Sequence, residues 1–290
     1  MRYAFWPGCV SKGACPELYR SIMAVAPPLG LELVELTEAS CTGAGVVSEQ
    51  NPELADTLNA RTFAMAQRLG LPLMNICSTC QGVMSGVKHR LRRNGDRLIE
   101  VNQALAPEGL HYDGDLTVKN FLWVLVEDVG LERLQSLVTR PIAGLRVGPF
   151  YGCYILRPSA VVSDGKPRDT YLELVIEALG ADPVDYRGKT KCCGFPVLTM
   201  NRTASLTMAG DHLQEAMEKG ADCLVTPCPL CHLNLDAQQP DAAGVRRRKL
   251  GLPILHLPQL VGLALGLEPK ALGLERHVVS TRGVLAKLGL

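Results

Sequence analysis

The chain has 290 residues, 47% of them hydrophobic and 20% charged, with a net charge of +1. That length suffices for two ordinary domains, each with its own core, and the near-neutral balance gives no electrostatic basis for nucleic-acid binding. No apolar run approaches the roughly 20 residues that span a bilayer, and the start Met1–Pro7 lacks the features of a secretion signal, so a cytoplasmic protein is expected.

A first strand is predicted over Arg2–Trp6, followed at once by Cys9. Cys15, six residues on, reads as a free thiol near the domain surface, with a fifth ligand as the minority reading. A second strand, Leu31–Leu36, leads to Cys41-Thr42-Gly43. The stretch Glu53–Leu69 carries Leu54, Leu58, Phe63, Met65 and Leu69 broadly on one side, as a helix does. A third strand, Leu73–Ile76, runs into Cys77-Ser78-Thr79-Cys80. Pro141 and Gly144 then interrupt the pattern and divide the chain into residues 1–144 and 145–290.

The second half repeats the order. Strand Leu145–Phe150 precedes Cys153, a helix covers Leu172–Leu179, and strand Pro183–Tyr186 leads to Cys192-Cys193-Gly194. Helix Ala204–Lys219 and strand Cys223–Thr226 lead to Cys228-Pro229-Leu230-Cys231, and a last strand is Ile254–Leu257. Cys223 reads as a core residue of its strand. Arg246-Arg247-Arg248-Lys249 reads as a solvated loop. Strand–helix alternation in both halves predicts an α/β fold: two pseudo-equivalent domains, each a small parallel sheet flanked by helices. The cysteines then fall at strand carboxyl ends, where such folds bind ligands.

The two halves share one cysteine frame. Cys9 and Cys153 are offset by 144 residues (153 − 9), and the other three shared positions by 151 (192 − 41, 228 − 77, 231 − 80), which is one seven-residue insertion between Cys153 and Cys192. Eleven cysteines in a reducing compartment point to metal or redox chemistry rather than disulfides, and an odd number cannot pair fully in one chain. Thiolate suits iron–sulfur clusters and zinc. Gly43 and Gly194 sit where positive φ or close backbone approach is wanted, and Pro227 and Pro229 stiffen the loop around Cys228.

The second half offers five sulfurs, Cys153, Cys192, Cys193, Cys228 and Cys231, against the four that zinc or a regular cubane takes, and so favours an unusual iron–sulfur centre. The first half offers Cys9, Cys41, Cys77 and Cys80, with Thr42 standing where the second half has Cys193. A hydroxyl is a poor ligand for soft iron–sulfur chemistry, so the two centres are expected to differ. His232 reads as a donor to sulfur or substrate, or as structural; His212 reads as a surface residue. No P-loop and no dinucleotide fingerprint is present.

The pattern Cys, Cys-Cys-Gly, Cys-x-x-Cys, present twice, resembles the duplicated CCG domain of the heterodisulfide reductase B-subunit family over essentially the whole chain. The segment Gly220–Asp236 and the tail Leu257–Gly266 are the parts most similar to that family. The resemblance implies two non-cubane 4Fe–4S clusters near the domain interface, each held by five cysteines, that cleave or form a disulfide between them. Carried over, the second cluster's ligands are Cys153, Cys192, Cys193, Cys228 and Cys231, with Cys192 and Cys193 at the reacting centre. The first cluster's are Cys9, Cys41, Cys77 and Cys80, and Thr42 leaves it as a non-cubane variant or a cubane. The implied function is thiol–disulfide or sulfane-sulfur redox chemistry in a heterodisulfide reductase-like complex, with a ferredoxin-type subunit and a flavoprotein as partners. A composition rich in Leu, Ala, Gly and Arg favours the bacterial sulfur-oxidising relatives, with a bound sulfane sulfur as substrate. The alternative is an electron-transfer or membrane-docking subunit of a succinate:quinone reductase-type complex, for which the mildly amphipathic Ala271–Leu290 is the relevant segment. Zinc scaffolding is a third reading.

Overall fold

The computed structural model describes residues 1–290. Eight strands form two four-stranded sheets. The first holds β1 (Arg2–Trp6), β2 (Glu32–Glu35), β3 (Leu73–Asn75) and β4 (Val118–Asn120), in the order β2-β1-β3-β4. The second holds β5 (Arg146–Pro149), β6 (Asp182–Pro183), β7 (Cys223–Thr226) and β8 (Ile254–His256), in the order β6-β5-β7-β8. Every pairing is parallel, with Ala4 opposite Leu73 in one sheet and Val147 opposite Cys223 in the other. The architecture is the expected pair of small parallel sheets flanked by helices.

β1 shows how the strands divide the interior. Tyr3 and Phe5 point to one apolar cluster, and Ala4 and Trp6 to another, as the period of two requires. β7 does the same, sending Cys223 and Val225 to the first cluster and Leu224 to the second. Each cluster therefore takes one face from each sheet, so the expected separate cores are instead two shared ones. Helix Pro16–Val25 of the first half packs Leu18, Ile22 and Val25 into the same cluster as Leu260, Val261 and Ala264 of helix Leu257–Ala264. Every residue of the latter helix is buried.

Several elements depart from expectation. β4 has no counterpart among the predicted strands, because it is three residues long with the charged Lys119 at its centre. β6 is two residues, Asp182–Pro183, and ends before Tyr186. Cys15 is fully buried rather than near the surface, because it opens the helix that packs between the halves. Ala271–Leu290 does not form one amphipathic helix; its longest helix is Arg282–Lys287. The basic run begins in helix Gln239–Arg246, where Arg246 pairs with Asp211 at 2.7 Å, and its remaining three residues are partly or fully exposed.

Candidate metal centres

The first cysteine set is assembled at the carboxyl ends of β1, β2 and β3. Cys9 opens the helix Cys9–Gly13 just after β1. Cys77 is the N-cap of helix Ser78–Arg93 after β3, and Cys80 lies in that helix's first turn. The Cys9 and Cys41 sulfurs are 3.8 Å apart, and the Gly43 N–H donates to the Cys41 sulfur at 3.5 Å. Cys41 is held down to about 6 by the Cys9 thiol and then by the Gly43 and Thr42 N–H groups, against the opposing effect of burial. Thr42 is buried, and its hydroxyl donates to the Cys80 sulfur at 3.7 Å. Asn59 fixes this loop by donating to the Thr42 carbonyl at 2.9 Å.

The second set repeats the construction. Cys228 is the N-cap of helix Pro229–His232 with φ −134° and ψ 117°, against −134° and 118° for Cys77. The Gly194 and Phe195 N–H groups donate to the Cys192 and Cys193 sulfurs, each at 3.4 Å. Gly194 has φ 95°, and a Cβ there would stand 2.7 Å from the Ser205 carbonyl. A Cβ on Gly152 would stand 2.8 Å from the Cys231 sulfur. Cys193 lies beside Cys231 as Thr42 lies beside Cys80, so the two occupy equivalent places. The Cys192 thiol is pushed well down, chiefly by hydrogen bonds from Cys153 and Cys193.

Two further residues hold this loop. Asn234 donates to the Cys193 carbonyl at 2.6 Å, and His212 Nε2 meets the Cys192 carbonyl at 2.9 Å. His212, expected at the surface, is thus a partly buried positioning residue. The sequence carries no local signal for it: His212 stands twenty positions from Cys192 and meets it only when helix Arg202–Glu218 crosses the loop.

The two sets meet where the halves join. The Ser78 N–H and hydroxyl both donate to the Pro227 carbonyl, at 3.1 and 3.2 Å. Thr79 Oγ1 and Cys228 Sγ are 3.4 Å apart, and Cys77 interacts with both Cys80 and Cys228. All nine expected residues are thus brought together, four in one group and five in the other. Cys223 is buried in β7, apart from both, as expected.

A cavity of about 280 Å³ lies over the second set. Cys153, Cys192, Cys193, Cys228 and Cys231 all line it, and no cysteine of the first set does. Its remaining wall is mostly apolar, with Val46, Tyr154, Phe195 and Met200; Glu49 is its one charged residue.

The donor sets fit iron–sulfur centres. They are thiols rather than carboxylates, the second exceeds the four ligands of a zinc ion, and backbone N–H groups aim at the sulfurs, as they do around cluster thiolates. The close approach of Gly152 leaves no space for a side chain beside the Cys231 sulfur.

The model of the cysteine-rich domain CCG matches residues 3–85 and again residues 147–236. The chain belongs to this family. Both CCG repeats cover the strand ends and cysteine loops that carry the two thiol sets. Over 96% of its length the chain is 38% identical to a protein of Wolinella succinogenes named 8-methylmenaquinol:fumarate reductase membrane anchor subunit, of which it covers 96%. It is 29% identical, over 99% of its length and 97% of the relative's, to the B subunit of the ferredoxin/F(420)H(2)-dependent CoB-CoM heterodisulfide reductase of Methanosarcina acetivorans. A protein of Archaeoglobus profundus, named as like the heterodisulfide reductase B subunit, is 30% identical over 93% of the chain and 92% of its own length. The fold is also similar to the crystal structure of a hypothetical protein from Helicobacter pylori, with a TM-score of 0.77 and 17% identity. That match covers 96% of this chain and 52% of the other, so this chain spans about half of it.

Proposed function

We propose that the CCG pair is the iron–sulfur redox subunit of a multisubunit oxidoreductase, with one four-iron cluster in each of residues 1–144 and 145–290. Cys9, Cys41, Cys77 and Cys80 hold the first; Cys153, Cys192, Cys193, Cys228 and Cys231 hold the second. The observation that carries this reading is the convergence of nine thiols from two distant frames onto one junction. Relatives named for the heterodisulfide reductase B subunit support a redox role inside a complex.

When bound, such clusters supply one-electron transfer and iron that accepts sulfur. The chain's own residues do the remaining work. The N–H groups of Gly43, Gly194 and Phe195 stabilise negative charge on the ligating sulfurs. His212 and Asn234 hold the Cys192 and Cys193 carbonyls and so orient both thiols. Thr42 donates to Cys80 instead of binding iron, which leaves the first centre a four-thiolate one, a cubane or a non-cubane variant. The cavity opens onto the second thiol set and onto no cysteine of the first, which supports thiol–disulfide or sulfane-sulfur chemistry there, at Cys192 and Cys193. Cys9 and Cys41 are exposed, which supports this side as the one through which a ferredoxin-type subunit and a flavoprotein would exchange electrons.

One observation favours a second reading. The cavity carries a single carboxylate and no Lys or Arg, which suits a neutral apolar partner better than an anionic one. With the relative named as a fumarate reductase membrane anchor, this supports electron exchange with a quinol in a succinate:quinone reductase-type complex. No helix is long and apolar enough to cross a membrane.

The test is anaerobic purification with iron and acid-labile sulfide measured per chain, followed by EPR on mixing with a dithiol or with a menaquinol analogue. A signal change confined to the dithiol supports the first reading, and one confined to the quinol the second. Absence of iron and sulfide from the nine cysteines would overturn both.

A further inference from the structure

The fold's internal symmetry exposes a second buried ligand set behind the second cysteine group. Gln81 and His232 are counterparts, offset by 151 (232 − 81), each following the last cysteine of its CxxC. Asn120 and His256 are also counterparts, ending β4 and β8. In the first half these positions form a satisfied amide network. Asn75 donates to Gln81 at 2.8 Å, Asn120 donates to Asn75 at 3.1 Å, and Gln81 donates to the Val118 carbonyl at 3.3 Å.

In the second half the same place holds imidazoles, stacked with ring centroids 3.9 Å apart. Each ring has its Nε2 held. His232 Nε2 contacts His277 Nδ1 at 3.1 Å and His256 Nε2 contacts Glu17 Oε1 at 3.2 Å; the His256 side chain also caps helix Leu257–Ala264 by accepting from the Gln259 N–H, while His232 Nδ1 is buried without a partner. Cys15 and Glu17 enter from the first half, both buried, and the only cation on Glu17 is the half-exposed Arg276 at 3.4 Å. A buried ring nitrogen without a partner is costly unless a further group satisfies it.

We propose that Cys15, Glu17, His232 and His256 bind a single divalent transition-metal ion, zinc in the first instance, which clamps the two halves together. A thiolate, a carboxylate and two imidazoles make a four-ligand set that zinc accepts. Their ligand atoms all lie within 4.8 Å of one another. Bonds of about 2.0–2.3 Å place tetrahedral ligands roughly 3.3–3.8 Å apart, so closure needs side-chain movement of about an ångström. His277 orients the His232 ring from outside the ligand set, the usual support for a metal-bound imidazole. His232 directly follows Cys231, so the ion braces the second CxxC without taking any of its cysteines.

The test is anomalous diffraction at the zinc and iron edges on crystals grown with Zn²⁺, with metal content of the intact anaerobic protein as the second measurement. The expected result is a zinc-edge peak among the four residues and about one zinc per chain. Glu17→Gln and His256→Asn should each lower bound zinc at least tenfold while iron and sulfide stay unchanged. No peak among these four residues at either edge in the wild-type crystals, or zinc retained at full occupancy in both variants, overturns the proposal. The outcome is separate from that of the cysteine clusters: loss of iron and sulfide with this zinc retained would sink the proposed function and leave the clamp standing.

Discussion

The Thr79 hydroxyl lies 3.4 Å from the Cys228 sulfur, across the junction of the two halves. A residue of the first CxxC thus touches a thiol of the second set. The two thiol sets are thereby in direct contact.

Thr79→Val removes that polar contact while keeping the volume. A hydroxyl donating to a ligating sulfur favours the reduced cluster, so the variant's second centre should have a lower midpoint potential in an EPR-monitored redox titration. An unchanged potential would mean the hydroxyl does not point at Cys228.

Thr42 and Cys193 occupy equivalent places beside Cys80 and Cys231. Thr42→Cys should move the first centre's EPR signature towards that of the second, and Cys193→Ala should do the reverse. Two identical signatures in the wild type would refute the inequivalence of the centres.

Leu260 is fully buried in the cluster that joins the halves. Leu260→Ala should cost about 2–5 kcal/mol in anaerobic denaturant unfolding. Ile99→Ala, at a side chain 58% exposed, should stay within about 0.5 kcal/mol.

Glu127 meets Arg168 and Lys166 at 2.8 Å and Lys119 at 3.1 Å, and Arg168 stacks on Trp123. Burial pushes its carboxyl up, but Arg168, Lys166 and Lys119 outweigh that and hold it at about 2. A carboxyl depressed in the folded state contributes stability above its unfolded value of about 4.5, and that contribution fades as pH falls towards 2. Glu127→Gln leaves Arg168 buried without its carboxylate and should cost about 3–5 kcal/mol at pH 7. Unfolding measured at pH 7 and pH 3 should show the gap between wild type and variant narrowing at the lower pH.

Much of the site was legible in the linear order of residues. The repeated spacing locates all nine thiols, and strand–helix alternation places them at the ends of parallel strands, because both signals are local and periodic. Gly43 and Gly194 were legible for the same reason: their left-handed φ values of 72° and 95° belong to the turn itself. β4 was not, since three residues with a lysine at the centre carry no apolar alternation and are held by their neighbour β3.

The sequence by itself determined the two cysteine frames, the parallel α/β alternation and the Thr42 mismatch, all properties of spacing and residue type along the chain. Only the tertiary structure decided that the frames touch through Thr79 and Cys228, that the two cores are shared, and that His212 serves the Cys192 loop. It alone set Cys15 and Glu17 against His256, which stands 239 residues from Glu17. Such contacts depend on how two packed layers dock, and packing across that distance leaves no periodic trace in either segment.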